Sequence, residues 1–259
     1  MGGWTSCPSN IGLPFLGTPL PVTMWTRSER ILILAYVLWM LIGLAVTIAG
    51  FTESTVLSLH LPPSLELFIL ACLKYGDPIS IFLAAINTHW LACRTWGRFT
   101  ARKWAAIILI GSAVTETIGT LTGWPFGPYH YTDNFGPRLG DVLPLTIPLS
   151  WLVLITNVLL LVRYHTHLNP RFEAGLIAFG VTLMDWVMEP FAVHIKAYWY
   201  WDTPNIPWQN YVTWFTLTFI LVRRFAPPNR ATQPNDSRSP IILSMMLSLF
   251  VTARIVSRI

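Results

Sequence analysis

Two segments of the chain place carboxyl groups inside apolar stretches and follow them with aromatic residues. The first spans 116–131 and begins with Glu116, and the second spans 184–190 and contains Asp185 and Glu189. A carboxylic acid among apolar groups keeps its proton more readily than one in water, because desolvation disfavours the charged form. These residues therefore predict proton transfer to a hydrophobic substrate.

The composition places these segments in a lipid bilayer. Of the 259 residues, 53% are hydrophobic and 11% are charged, whereas a soluble domain carries about 25% charged residues. Apolar runs of roughly 20 residues recur along the chain, which is the length that a helix needs to cross the hydrocarbon core. The runs lack the alternation of barrel strands, so the sequence predicts an all-α, polytopic membrane helix bundle.

Seven membrane helices are predicted, and the basic residues between them indicate their orientation. The helices are expected at about 30–51, 64–91, 102–123, 144–163, 173–194, 209–224 and 239–257. Segments on the side of the N-terminal tail carry 12 Lys and Arg residues, and the opposite segments carry 4. Since Lys and Arg favour the cytoplasmic side, the N-terminus is predicted to be cytoplasmic. The aromatic loops 124–143 and 195–208 then lie on the opposite side.

The chain divides into three predicted parts. Residues 1–28 form an N-terminal tail, 29–224 a membrane catalytic bundle, and 225–259 a cytoplasmic connector with the last membrane helix. The first 27 residues lack the basic and apolar regions of a cleaved signal peptide, so we interpret them as a short tail or an interfacial segment.

The sequence argues against several classes of function. The net charge of +5 is spread between the apolar runs, which does not favour a nucleic-acid partner. Cys7, Cys72 and Cys93 are odd in number and lack metal-ligand spacing, so neither a disulfide framework nor a metal site is predicted. No glycine-rich phosphate loop is present, and the last predicted helix has no lysine for a retinal Schiff base.

Five ionisable residues fall within predicted helices and away from the helix ends, where a charged group costs roughly 2.5–3.5 kcal/mol. Asp185 and Glu189 are four apart and share a helix face. Two close carboxyls do not easily both ionise, which leaves a neutral acid beside a carboxylate, although each could instead make a separate packing hydrogen bond. Lys74 and Asp77 are either a mutually neutralised pair, or Asp77 lines the cavity and Lys74 tunes it. Glu116 is the fifth.

The aromatic loops either form an interfacial belt or wall a pocket, and the density of rings and turn residues at 124–131 favours a pocket there. Pro190 predicts that its helix kinks or ends near Glu189. The carboxyls of Glu116, Asp185 and Glu189 are expected to converge beneath the loops, with Asp77 as a further catalytic candidate. The candidate substrate-binding residues are Trp124, Phe126, Tyr129, Tyr131, Trp186, Trp201, Asn210 and Tyr211.

Segment 123–131, with Glu116 before it and the blocks 143–151, 185–190 and 198–211 after it, resembles the membrane carotenoid-biosynthesis family that contains the carotenoid hydratases. The resemblance covers roughly 30–225. It implies addition of water across the terminal C1=C2 bond of an acyclic carotenoid end, which gives a tertiary alcohol. It also implies that no nicotinamide, flavin or metal cofactor takes part, because the reaction has no redox change.

On that basis the Asp185 and Glu189 pair is expected to protonate C2, with Asp185 preferred because it lies deeper. Glu116 is expected to orient the water and act as base. The expected partners are the acyclic carotenoid, water and the lipid bilayer, with other enzymes of the same pathway as further candidates, in a bacterial or archaeal cytoplasmic membrane. The alternatives are a membrane carotenoid cyclase, a proton-coupled transporter and a pigment-binding subunit.

Overall fold

A computed structural model of the protein describes residues 25–229 and 236–257. Most of the predicted tail, including Cys7, and part of the predicted connector lie outside the described residues. Within them the chain forms eight α-helices. These are α1 (Arg27–Ile48), α2 (Glu53–Ser58), α3 (Pro63–Trp96), α4 (Arg98–Thr122), α5 (Thr146–His165), α6 (Pro170–Pro190), α7 (Trp208–Phe225) and α8 (Arg238–Ser257).

Six of the described helices are long and apolar enough to cross a membrane, namely α1, α3, α4, α5, α6 with the π-helix that extends it, and α8. The protein is therefore an all-α polytopic membrane bundle, as predicted. The sixth predicted span, 209–224, is helical as α7, but polar residues such as Gln209 and Asn210 near its start make it less apolar. The count of seven spans and the cytoplasmic N-terminus stay predictions.

Helix α5 lies at the centre of the bundle. Most of its residues are buried, and it contacts α3, α4, α6 and α8. The surrounding helices bury one face and expose large apolar residues on the other, for example Leu34 and Leu38 on α1 and Ile110 on α4. This distribution suits a lipid environment, in which side chains on the outside of the bundle meet hydrocarbon rather than water.

Ion pairs connect the helices at the end of the bundle opposite the aromatic loops. The guanidinium of Arg163 on α5 donates to Glu173 of α6 at 2.7 Å and to the carbonyl of Pro227 beyond α7. In a second cluster, Glu29 of α1 accepts from Arg94 of α3 at 2.9 Å and pairs with Arg238 of α8 at 3.1 Å. Each charged group in these two clusters thus has a partner of opposite sign, which offsets part of the cost of burying it.

The end of α6 takes an unusual form that positions Glu189. The regular helix ends at Pro190, and the chain continues as a π-helix over Phe191–Ile195. Pro190 has no N–H to donate back along the helix, which explains why the regular hydrogen-bond pattern ends there. The expected helix end or kink near Glu189 is therefore observed.

Two short strands join the aromatic loops into one antiparallel ribbon. Strand β1 (Tyr129–Tyr131) pairs with β4 (Trp199–Trp201), with Tyr129 opposite Trp201 and Tyr131 opposite Trp199. Strands β2 (Arg138–Leu139) and β3 (Leu143–Pro144), which lie between β1 and β4 in the sequence, form a separate antiparallel pair. Because side chains alternate along a strand, the first and third residues of β1 and β4 point toward the bundle. The middle residue of each strand points away from the bundle and is exposed. This ribbon was not predicted from the sequence.

Candidate active site

A cavity of about 40 Å³ lies beneath the β1–β4 ribbon, enclosed by α4, α5, α6 and α7. It has room for about two water molecules. The side chains of Glu116, Asp185 and Glu189 all line it, and all three residues are at most 5% exposed. The structure thus brings three carboxyls from two helices to one enclosed space. In the described part of the chain, no group of three or more His, Cys, Asp or Glu residues is arranged to hold a metal ion.

Glu116 is held by three donors. The hydroxyls of Tyr129 and Tyr131 each donate to Oε2 at 2.6 Å, and Nε1 of Trp151 lies 3.4 Å from Oε1. Burial, together with the nearby Glu116 carboxyl, raises the pKa of both tyrosines above their usual range, so both phenols stay protonated. Three donors on one carboxyl offset part of the cost of burying its charge, because a carboxylate accepts hydrogen bonds at both oxygens.

Asp185 and Glu189 share a single amide donor. The Nδ2 atom of Asn210, at the start of α7, lies 3.0 Å from Oδ2 of Asp185 and 3.2 Å from Oε1 of Glu189. Glu189 also accepts from Nε1 of Trp199 at 3.3 Å and of Trp201 at 3.4 Å. Within the described residues Asp185 therefore accepts one hydrogen bond and Glu189 accepts three. Asp185 is the carboxyl with the least support for a negative charge.

The β1–β4 ribbon supplies four of the aromatic side chains that donate hydrogen bonds to Glu116 and Glu189. Tyr129 and Tyr131 of β1 and Trp199 and Trp201 of β4 occupy the positions that point toward the bundle. The two tyrosines reach Glu116, and the two tryptophans reach Glu189. One two-stranded ribbon therefore fixes carboxyls on two different helices.

Aromatic rings form much of the remaining wall of the cavity. Trp151 of α5 stacks on Trp214 of α7, and the ring of Phe126 lies 5.2 Å from that of Trp214. The rings of Tyr129 and Trp201 are also 5.2 Å apart. Aromatic faces carry a partial negative charge, so a wall of this kind attracts a cation that forms inside the cavity.

The close approach of α4 to the ribbon depends on Gly119. A Cβ atom there would overlap the ring of Phe126 and lie 3.0 Å from the hydroxyl of Tyr129. We expect Gly119→Ala to shift both rings and to loosen the hydrogen bond to Glu116. Because small displacements of catalytic groups are costly, the rate of a reaction catalysed by these carboxyls, measured as substrate turnover by the purified protein, should fall by about tenfold or more.

The matched control for that variant is Gly43→Ala. Gly43 lies within α1, and a Cβ atom there would meet nothing within 4 Å. That variant should keep its activity, and in a helix interior it should be neutral or slightly stabilising. Equal activity of the two variants would show that the spacing at Gly119 is unimportant.

The structure separates the predicted site residues into two groups. Eight of the twelve line the cavity, and these are Glu116, Phe126, Tyr129, Tyr131, Asp185, Glu189, Trp201 and Asn210. Three of the others lie elsewhere: Trp124 is 71% exposed, Trp186 is 51% exposed beneath the guanidinium of Arg254, and Tyr211 is half-buried outside the cavity wall. Trp186 and Tyr211 each follow a cavity residue by one position, which rotates them about 100° around the helix and away from the site.

The twelfth predicted residue, Asp77, does not line this cavity. Its Oδ2 atom pairs with Nζ of Lys196 at 2.8 Å. The predicted ion pair between Lys74 and Asp77 is therefore wrong, because Asp77 pairs with Lys196 instead. The prediction that Asp77 lines the carboxyl cavity is also wrong, because Asp77 borders a neighbouring cavity. The pairing across segments 119 residues apart could not be inferred from their spacing in the sequence.

Three tryptophans that contribute to the site were not predicted as site residues from the sequence. Trp151 and Trp199 donate to carboxyls, and Trp214 stacks on Trp151. Residues 129–131 alternate as in a strand, but residues 199–201 are aromatic throughout, so the pattern of the sequence did not single out Trp199. Trp151 and Trp214 lie within helices, and their neighbours in the sequence indicate neither the hydrogen bond from Trp151 to Glu116 nor the stacking of the two rings.

Comparison with known proteins agrees with the resemblance. Residues 76–259 match the family described as carotenoid biosynthesis proteins. The chain is 32% identical over 118 residues to a bisanhydrobacterioruberin hydratase of Haloarcula japonica. That alignment covers 42% of this chain and 39% of the relative, so the chain spans well under half of the length of the relative it matches. No solved structure matches the chain.

The fold and the site define an integral membrane protein with an enclosed, aromatic-walled cavity that holds three carboxyls. The chain belongs to the carotenoid biosynthesis protein family, since the family match extends over most of its length. The matched region begins within α3 and contains every residue of the cavity wall described above.

Proposed function

We propose that the protein is a carotenoid hydratase, which adds water across the terminal C1=C2 bond of an acyclic carotenoid end. The observation that carries the proposal is the set of three buried carboxyls around one small cavity, of which Glu116 and Glu189 each accept from three donors and Asp185 accepts from one. The family supports a carotenoid substrate, and the similarity to a protein named as a hydratase supports the type of reaction.

Asp185 is proposed as the acid. It accepts one hydrogen bond and is 2% exposed, so burial favours its neutral form more than that of the other two carboxyls. Transfer of its proton to C2 breaks the π bond and leaves a tertiary cation at C1. The carboxylate that remains keeps the hydrogen bond from Asn210. Glu189, with three donors, serves to hold Asn210 and thereby to orient Asp185.

The aromatic wall is proposed to stabilise the cation. Each ring face that meets a desolvated positive charge contributes up to about 2 kcal/mol. The indoles of Trp201 and Trp214 and the ring of Tyr129 line the cavity close to the carboxyls. A cation held among them persists long enough for water to attack instead of losing its proton at once.

Glu116 is proposed as the base. Its carboxyl accepts hydrogen bonds from two phenols and an indole, which offset part of the cost of ionising it, and it borders a cavity with room for about two water molecules. One water attacks C1 as its proton passes to Glu116, which gives the tertiary alcohol. Return of that proton to Asp185 through water restores the enzyme, so the net change is the addition of one water.

The test is an assay of the purified protein in detergent with lycopene as the substrate, in water enriched in ¹⁸O. The proposal expects a product whose mass has increased by one water and whose oxygen comes from the solvent. A product of unchanged mass with a ring would instead identify a cyclase, which begins with the same protonation. Proton flux through the protein in liposomes without any carotenoid, and no product from lycopene, would identify a transporter.

The location that goes with this proposal is the cytoplasmic membrane of a bacterium or archaeon, with the cavity in the half of the bilayer farther from the cytoplasm. This placement depends on the predicted cytoplasmic N-terminus. Labelling of single introduced cysteines, at His130 in the outer loop and at His167 between α5 and α6, would report on opposite sides of the membrane if the orientation is right.

A further inference from the structure

A second cavity lies directly beside the one that holds the carboxyls. It has a volume of about 40 Å³, and Phe135, Ser150, Leu154 and Met188 line both. We call this second space the apolar chamber. Its other apolar walls are Met40, Ile81, Phe191, Met246, Leu249 and Phe250, and its polar edge consists of Asp77, Ser80 and Tyr198.

We infer that the apolar chamber binds the isoprenoid segment of the substrate that follows the reacting end group. This inference rests on the proposed function, because it needs a long hydrocarbon whose end reaches the carboxyls. The carbons next to C1 and C2 must occupy space that is continuous with the carboxyl cavity. The chamber shares four wall residues with that cavity, and its walls are largely hydrocarbon and thioether.

Methionine side chains give the chamber the means to expand. Met40, Met188 and Met246 come from three different helices, and Met188 stands between the two cavities. Methionine is unbranched and has a flexible, polarizable side chain, so it repacks around varied apolar shapes at low cost. Two spaces of about 40 Å³ are too small for a branched isoprenoid end. Rotation of Met188 joins them into one channel.

The far edge of the chamber leads to an open groove of about 510 Å³. Asp77 and Tyr198 border both spaces, and Lys196, the ion-pair partner of Asp77, lines the groove. The groove also has apolar residues from the first half of α3, including Leu67, Leu70 and Leu73. The remaining polyene leaves the chamber by this edge and lies along the groove. Asp77 and Lys196 therefore mark the mouth of the channel.

The inference is tested by filling the chamber without touching the carboxyls. Leu249 lines it and is 7% exposed, whereas Leu247, two residues earlier on α8, is 40% exposed and faces outward. Leu249→Trp should weaken lycopene binding, measured by pigment retention and by absorbance, at least about tenfold. Leu247→Trp should bind and hydrate lycopene like the unaltered protein. Equal binding by both variants would overturn the inference.

A second measurement covers the case in which Leu249→Trp does not fold. In a background without the native cysteines, Leu249→Cys and Leu247→Cys are treated with a membrane-permeant maleimide. Lycopene at about four times its dissociation constant should slow modification of the Leu249→Cys variant about fivefold, because bound ligand protects in proportion to its occupancy. It should leave the Leu247→Cys variant unchanged. Absence of protection at position 249 would also overturn the inference.

These measurements separate failure of the inference from failure of the proposed function. Binding and protection do not require turnover, so a protein that bound lycopene in the chamber without hydrating it would contradict the hydratase proposal alone. Hydration that persisted in Leu249→Trp at the rate of Leu247→Trp would contradict the chamber alone.

Discussion

Replacing Asp185 by asparagine is expected to abolish hydration of lycopene, with a loss of about 10³-fold or more in rate. General acids contribute roughly 10²–10⁴-fold, and in the proposed mechanism the proton from Asp185 creates the cation on which every later step depends. The amide is nearly the same size as the carboxyl, and its oxygen still accepts the hydrogen bond that Asn210 donates at 3.0 Å. The loss therefore reports on the missing proton and not on a changed shape.

A second readout distinguishes this role from a structural one. A buried carboxyl that exists for catalysis weakens the fold, so Asp185→Asn should leave the thermal unfolding midpoint unchanged or raise it. The matched control is Asp141→Asn at an exposed position in the loop between α4 and α5, which should leave activity unchanged. A large drop in the unfolding midpoint of Asp185→Asn, or activity close to that of the control, would contradict the assignment of Asp185 as the acid.

The helices and the positions of the carboxyls could be predicted from the sequence because both depend on local patterns. Apolar runs of membrane length set the helices, and each helical carboxyl has a depth fixed by its distance from the helix end. Glu116 and Asp185 therefore had to lie in the same half of the bundle, beneath the aromatic loops. The sequence also predicted a pocket beneath these loops, but the helices that wall it and the direction in which each carboxyl points depend on packing and could not be predicted.

The ribbon and the ion pair of Asp77 could not be predicted in the same way. Each joins segments that are far apart in the sequence, and their pairing depends on how α3, α4 and α6 pack. Lys74 was the obvious partner for Asp77 because it lies one turn away on the same helix. The π-helix after Pro190 and the loop that follows bring Lys196 closer, and a local rule has no access to that geometry.

Glu116→Gln is expected to reduce hydration by about 10²-fold while leaving protonation of the substrate intact. Without the carboxylate, no group takes the proton from the attacking water, so the cation at C1 lasts longer and returns its proton from C2 to Asp185. Assays in D₂O make this visible, because C2 then receives deuterium and retains part of it when the double bond forms again. Lycopene recovered from the variant should carry more deuterium than lycopene recovered from the unaltered protein.

The amounts of alcohol and of deuterated lycopene formed by three variants distinguish the acid from the base. Asp185→Asn should give neither alcohol nor deuterated lycopene, and Glu116→Gln should give little alcohol with deuterated lycopene. Glu66→Gln, a matched change in the first turn of α3, should behave like the unaltered protein. Because Tyr129 and Tyr131 both donate to Oε2 of Glu116, an amide there still accepts from them through its oxygen, so two of the three hydrogen bonds to this side chain are retained. If Glu116→Gln lost deuterium incorporation in parallel with hydration, Glu116 would act before or during protonation and could not be the base that activates water.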